Sequence, residues 1–424
     1  MLTKIKSNAG FLSNLTFSLT SIFGTFLLTP IIIKAYGKDI FILWTIVNSI
    51  CALLFIVDFG ITSVASRQFL KAHQHSKFFA WHTWGKYLYF HNRLILISSL
   101  ILMAGFLTQM NHQNFKMDNI QNLLIFIFTL IGTIATVLSH QQIIKFQIFD
   151  GYSTSLAILT IIKIFETALI LFLMNLAMNF SLITFIIASL HLFQLFVLKH
   201  ISNGRLPQKK SEKVDTIEIR FKISNYISTV LYSASSVLGI HGTFIVQSLI
   251  LNSNQVLIIV LSRMIVSPIR IFSDALAIGN FDKLIRNSLG VKSITLRANM
   301  PVANLYRILV LFSTSYLLAL FFVGNFIINF ISYGTSNLNV MLLCLFGLAN
   351  IMDGAIVIFM QNSISNGSQG NKGVIYFVIT LTSMFLLIFL VDLVGVYGGA
   401  ISIVICDLGF FLLMVFNRKF RVRH

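Results

Sequence analysis

Charge is what this sequence has least of. Asp, Glu, Lys and Arg make up 10% of its 424 residues, against about 25% in soluble globular chains. With a mean hydropathy of +0.86, the chain needs lipid as its solvent. Acidic residues are the scarcer sign, 13 against 31 Lys and Arg, for a net charge of +18. That excess does not indicate a nucleic-acid binder, because the cations lie in short connectors between apolar segments. Cysteine is scarce too. Cys51, Cys344 and Cys406 each sit inside an apolar segment, with neither metal-ligand spacing nor a disulfide framework, and read as small core residues. A nucleotide loop is missing: residues 367–373, GSQGNKG, lack the spacing and the Ser/Thr of a P-loop. No connector groups paired carboxylates or is long enough for a glycosyltransferase domain. No cofactor is expected. Any uphill step would draw on an ion gradient or on the substrate's own gradient.

What is present is apolar sequence in helix-length pieces. Twelve segments, at roughly 10–33, 41–65, 92–112, 120–143, 152–176, 181–198, 223–249, 255–279, 303–328, 338–361, 373–391 and 396–416, reach the 20 or so residues that a spanning helix needs. They lack the alternation of a membrane barrel strand. The first run, residues 7–33, has 27 uncharged residues. It is too long for a signal peptide's apolar region and no small-residue cleavage pattern follows it. The fold expected is therefore an all-α integral membrane protein of about 12 transmembrane helices.

Cations orient it. Twenty-four of the 31 fall on the side that also receives both termini, and only Lys34, Lys38 and Lys116 on the other. The positive-inside rule then places both termini in the cytoplasm. The connector 67–93 mixes cations with His73, His75, His82, His91, Trp81, Trp84, Tyr87 and Tyr89. It reads as an interfacial helix; with no carboxylate or thiol beside them, its histidines do not read as a metal site. Residues 199–222 hold seven cations and three acids at the middle of the chain. This divides the sequence into an N-lobe (1–200, helices one to six), a linker (201–222) and a C-lobe (223–424, helices seven to twelve).

The halves resemble each other. A shift of 216 residues sets Lys4 on Arg220, Lys6 on Lys222, Asp58 on Asp274 and Arg67 on Lys283. Six is even, so each half enters the membrane in the same sense. The halves would be parallel repeats about a pseudo-two-fold along the membrane normal, with substrate between them. Polar residues stripe the first helix of each half: Asn14, Ser18 and Ser21, then Asn225, Tyr232 and Ser236. The stripes face other helices or a wet cavity.

Four cations lie inside segments, and each is costly in a bilayer. Lys163 is roughly 16 Å along its helix, with Glu166 on the same face. Arg263 and Arg270 share a face of the eighth segment, where Asp274 can pair with Arg270 and Arg263 has no acid three or four residues away. Arg307 lies early in the ninth segment. One reading is a cationic cavity that holds an anionic headgroup through Arg263, Lys163, Arg270 and Arg307. The other is that Lys163–Glu166 and Arg270–Asp274 are satisfied pairs that fix packing. Asp58 and Asp274, near helix ends, read either as a cytoplasmic gate or as helix-end packing. Glu166, Asp353 and Asp407 are candidate proton or sodium carriers, and His191 lies mid-membrane in segment six.

Residues 8–69, with Pro30 closing the first helix, Gly37 in the turn, Trp44 in an aromatic-rich second helix and Asp58-Phe59-Gly60 at its end, resemble the start of bacterial O-antigen and capsule repeat-unit flippases (Wzx-type). These belong to the multidrug/oligosaccharidyl-lipid/polysaccharide (MOP) exporter superfamily. The resemblance implies two six-helix lobes in a MATE-like V in the bacterial inner membrane. It implies movement of undecaprenyl-pyrophosphate-linked oligosaccharide from the cytoplasmic to the periplasmic leaflet, with polymerase or ligase machinery as possible partners. Lipid II flippases of the superfamily usually have fourteen helices. An ion-coupled small-molecule exporter of the same fold is the first alternative. It calls for an acidic cavity, and its relatives often carry a carboxylate in the first helix, which is absent here. A membrane polymerase or ligase is the second; its large periplasmic loop is not present.

Overall fold

The computed structural model describes residues 2–56, 77–109, 119–148, 152–203, 223–288, 302–334, 339–366 and 368–416. Asp58, His73, His75 and most of the central linker lie outside the described residues. The described chain is all helical, in twelve helices. In the N-lobe these are α1 (Leu2–Tyr36), α2 (Lys38–Ala52), α3 (Lys77–Gln109), α4 (Asn119–Ile148), α5 (Tyr152–Asn175) and α6 (Phe180–Asn203). In the C-lobe α7 runs as Ile223–Val237, a π-helical turn Leu238–Gly242, and Thr243–Ile250. It is followed by α8 (Ser253–Ser288), α9 (Val302–Ser332), α10 (Val340–Asn366), α11 (Lys372–Val394) and α12 (Tyr397–Phe416). Ten are long and apolar enough to cross a membrane. The other two are α2, described over 15 residues, and α3, whose apolar stretch is His91–Leu107.

One expectation changes. The aromatic-rich connector does not form a separate interfacial helix where it is described: from Lys77 onward it is continuous with the third spanning helix. Its only glycine, Gly85, costs about 1 kcal/mol in a helix and does not end one. His91 of that connector is buried against Gln141, 2.7 Å away. By contrast, Gly37 does separate α1 from α2, adopting φ +85°, where a side chain would be strained.

The two lobes repeat one packing plan. In the N-lobe α1 packs on α5, α2 on α4, α4 on α6 and α5 on α6; in the C-lobe the equivalents are α7 on α11, α8 on α10, α10 on α12 and α11 on α12. The lobes meet through α1 and α2 against α7 and α8. Lys38 Nζ donates to Asn254 Oδ1 at 2.7 Å, across a separation of 216 residues. A residue that touches its own repeat equivalent lies on the pseudo-axis. Helices α8 and α10 are the most enclosed spans, 67% and 61% buried, and Arg263, Arg270 and Asp353 on them face a cavity rather than lipid.

Two helices carry a local irregularity where it matters. Pro268 within α8 has no N–H for the Met264 carbonyl. Ser267 Oγ donates to that carbonyl instead (2.7 Å), Tyr316 Oη to the Ile265 carbonyl (2.7 Å) and Asn350 Nδ2 to the Val266 carbonyl (3.0 Å). The freed backbone is satisfied by side chains, as a bilayer requires. In α7 the π turn widens the helix and its Ile240 carbonyl takes a bond from outside the helix.

Small residues let the C-lobe helices close on one another. The Gly373 N–H donates to Ser228 Oγ at 2.9 Å, and a Cβ at Gly373 would fall on the Ser228 carbonyl oxygen. Gly373→Ala is expected to destabilise the protein by about 1–3 kcal/mol, the cost of overpacking. Thermal unfolding in detergent measures this. An unchanged melting temperature would mean that α7 and α11 separate at no cost.

Candidate functional site

The interface between the lobes encloses a cavity of about 490 Å³. The N-lobe contributes hydroxyl and amide side chains, Thr25 and Thr29 on α1 and Thr45, Asn48 and Ser49 on α2, with the Trp44 indole. The C-lobe contributes the charges: Arg263 and Arg270 on α8, Asp353 on α10 and Asp407 on α12, with His241 on the π turn and Tyr376 on α11. Both irregularities described above border this cavity, since Ile240, His241 and Ser267 line it. Irregular backbone at membrane depth is tolerated where it lines a cavity and commonly marks a binding site.

The two arginines differ. Arg270 is held from three directions. Its Nη1 is 3.0 Å from Asp353 Oδ2, its Nε 3.8 Å from Asp274 Oδ2, and its Nη2 donates to Ser236 Oγ at 3.1 Å. Arg263 donates Nη2 to the Ile240 carbonyl at 2.8 Å and stands 5.3 Å from the centre of the Phe244 ring. No carboxylate lies within 4 Å of it among the described residues. Beyond them Tyr376 Oη donates to Asp407 Oδ1 at 2.9 Å.

A second cavity, about 260 Å³, lies within the N-lobe between α1, α2, α4, α5 and α6. These are the repeat equivalents of the C-lobe helices α7, α8, α10, α11 and α12 that line the first cavity. Here Lys163 Nζ is 2.7 Å from Glu166 Oε1. His191 lines the same space. Thr25, Thr29, Trp44 and Asn48 line both cavities, which are therefore neighbours.

Solved MATE transporters have a similar fold over nearly the whole chain. DinF-BH, a MATE multidrug transporter, superposes with a TM-score of 0.60 at 16% identity, covering 100% of this chain and 97% of that one. ClbM, a MATE transporter solved in complex with Rb+, gives 0.58 at 11% identity, covering 99% and 95%. An outward-facing multidrug-resistance MATE transporter of the MOP superfamily gives 0.55 at 13%, covering 95% and 94%. The chain has the MATE fold. At these identities the likeness is one of fold. No protein-family model matches the sequence, and no curated protein does.

Within the MATE fold the intramembrane charges named from sequence separate into groups. Arg263, Arg270, Asp353 and Asp407 come together in the inter-lobe cavity. Lys163 and Glu166 pair in the N-lobe cavity. Asp274 reaches Arg270 without lining the cavity. Arg307 is exposed on α9 and lines neither cavity. The expected Arg270–Asp274 pair is present, and a second acid joins it. The nearer acid to Arg270 is Asp353 on another helix, because Asp274 one turn along α8 reaches only Nε. The α1 stripe of Asn14, Ser18 and Ser21 continues into the cavity-lining Thr25 and Thr29. In α7, Tyr232 lies 5.9 Å ring to ring from Tyr376, and Ser236 holds Arg270.

Sequence reading missed Tyr376, His241 and the π turn. Gly239 and Gly242 around a histidine in an apolar helix were the available signal for the last two.

Proposed function

We propose that this MATE-fold protein flips a polyprenyl-pyrophosphate-linked oligosaccharide between membrane leaflets by alternating access of its two lobes. One observation carries the reading. Arg263 is a guanidinium lining the inter-lobe cavity that spends one nitrogen on a backbone carbonyl and meets no carboxylate within 4 Å among the described residues. Its planar fork suits phosphate oxygens. The adjoining hydroxyl-lined space has room for a polar headgroup, while the prenyl chain stays in lipid.

In this reading the lobes are closed on the periplasmic side. Lys38–Asn254 and the Lys34 ammonium 5.7 Å from the Tyr333 ring both lie at the end of α1 remote from its N-terminus. The basic connectors supply the orientation.

A second reading, an ion-coupled exporter of small molecules, is favoured by Asp353 and Asp407 in the same cavity. Native mass spectrometry of the purified protein separates the two. The flippase reading expects polyprenyl pyrophosphate to be retained and inorganic pyrophosphate to displace it. Retention of a lipophilic cation in its place would favour the exporter.

Asp407, hydrogen-bonded by Tyr376, is the proposed coupling carboxylate. Asp407→Asn is expected to make flux independent of an imposed pH gradient in proteoliposomes. Flux that still follows the gradient would remove Asp407 from coupling.

A further inference from the structure

The N-lobe cavity has a chemistry of its own, opposite in kind to that of its C-lobe counterpart. Threonines dominate its wall. Thr25 donates its hydroxyl to the Ser21 carbonyl (3.0 Å), Thr129 to Ile125 (2.7 Å), Thr136 to Gly132 (2.9 Å) and Thr184 to Ser181 (2.7 Å). A hydroxyl has one proton and two lone pairs. With each proton spent on its own helix, these side chains offer the cavity acceptors only. The fitting ligand is therefore rich in donors.

Its charge is also constrained. Glu166 is neutralised by Lys163 at 2.7 Å. A cation would meet the Lys163 ammonium and an anion would meet the ring of acceptor oxygens, so a neutral ligand fits best. His191 adds a polar ring to the same wall. Trp44 and Phe128 supply flat apolar walls. A ligand with many hydroxyl donors, no charge and an apolar ring face is a sugar. At about 260 Å³ the space is smaller than the roughly 300–1,000 Å³ of sites for drug-sized ligands and suits a single ring.

The two cavities are neighbours across one layer of side chains. Trp44, Asn48, Thr25 and Thr29 face both. A head anchored at Arg263 would reach the N-lobe cavity with its next unit on movement of the shared side chains, Trp44 among them.

We propose that the N-lobe cavity walled by Thr25, Thr129, Thr136, Thr184, Trp44 and His191 is a saccharide subsite that accepts one neutral sugar ring, while the C-lobe arginines take the phosphate. The assignment rests on the flippase reading above. It makes these threonines the residues that set which glycans are accepted.

The experiment uses full-length protein in proteoliposomes and two lipids, a polyprenyl pyrophosphate carrying a neutral disaccharide and the same lipid without sugar. The variant is Thr129→Val with Thr136→Val, which keeps side-chain shape and removes two acceptors. Flux of the glycosylated lipid is expected to fall about tenfold, the size of effect that two lost hydrogen bonds produce. Flux of the sugar-free lipid should be unchanged. Parallel loss of both fluxes, or loss of neither, overturns the subsite.

Wild-type protein that moves neither lipid would contradict the flippase reading instead. The subsite then rests on binding. With Trp81→Phe and Trp84→Phe, Trp44 is the remaining indole, and free disaccharide should change its fluorescence saturably. That change should be lost in the threonine variant. No response, or a response to sodium ions in place of sugar, overturns the proposal.

Discussion

Arg270→Ala is expected to cost the protein about 3–5 kcal/mol of stability, the penalty for stranding a buried charge. The Asp353 side chain is 9% exposed and loses the guanidinium 3.0 Å away, and Ser236 Oγ loses its donor. The Asp274 side chain is 37% exposed, so water can replace Arg270 there and the loss is smaller. The expected result is poor recovery from the membrane or a melting temperature many degrees lower. A double variant separates fold from function. Arg270→Met with Asp353→Leu replaces the pair by apolar groups of similar volume, which is often neutral for stability. It should melt near wild type and yet transport little, because the cavity has lost one of its two cations. Wild-type stability in Arg270→Ala alone would mean that Asp353 is solvated or protonated and that the pair is not structural.

Arg263→Ala is expected to do the opposite: a modest change in melting and a loss of lipid flux of a hundredfold or so, the factor given by about 3 kcal/mol for a charged hydrogen-bonding group. Removing Arg263 leaves the Ile240 carbonyl still bonded by the Thr243 hydroxyl at 3.2 Å, at a π turn already bordering the cavity. Arg263→Lys is the control. It keeps the charge but gives up the fork that binds two phosphate oxygens at once, so its flux should fall between those of wild type and alanine. Flux in Arg263→Ala equal to wild type, at equal protein in the membrane, would remove the guanidinium from the site.

Hydropathy made the architecture legible because lipid forces each span to be long, apolar and helical. The lobes could be read from charge as well as from length: the shift of 216 found with Asp58 and Asp274 recurs in the Lys38–Asn254 contact. The continuity of the aromatic connector with α3 was not legible, because amphipathic content locates a segment at an interface without saying whether the helix stops there. Lys77–Gln109 does not stop. The cavity residues were legible only as costs. An arginine in a span must have a reason, which singled out Arg263 and Arg270. Which acid faces which arginine depends on helix packing, and so Asp353 displaced Asp274 as the nearer partner. The threonines carried no such signal. Thr129, Thr133 and Thr136 each satisfy their hydroxyl within α4 and are ordinary in a spanning helix until α1, α5 and α6 close a cavity against them.

The measurement that tests the account most directly is a leaflet assay. Purified protein is reconstituted into proteoliposomes with a synthetic polyprenyl-pyrophosphate oligosaccharide, and headgroup exposure is read with a membrane-impermeant probe. Wild type should equilibrate the lipid between leaflets, and Arg263→Ala should not. Wild-type protein that is folded, yet leaves the lipid in its starting leaflet with or without a pH or sodium gradient, would contradict the account.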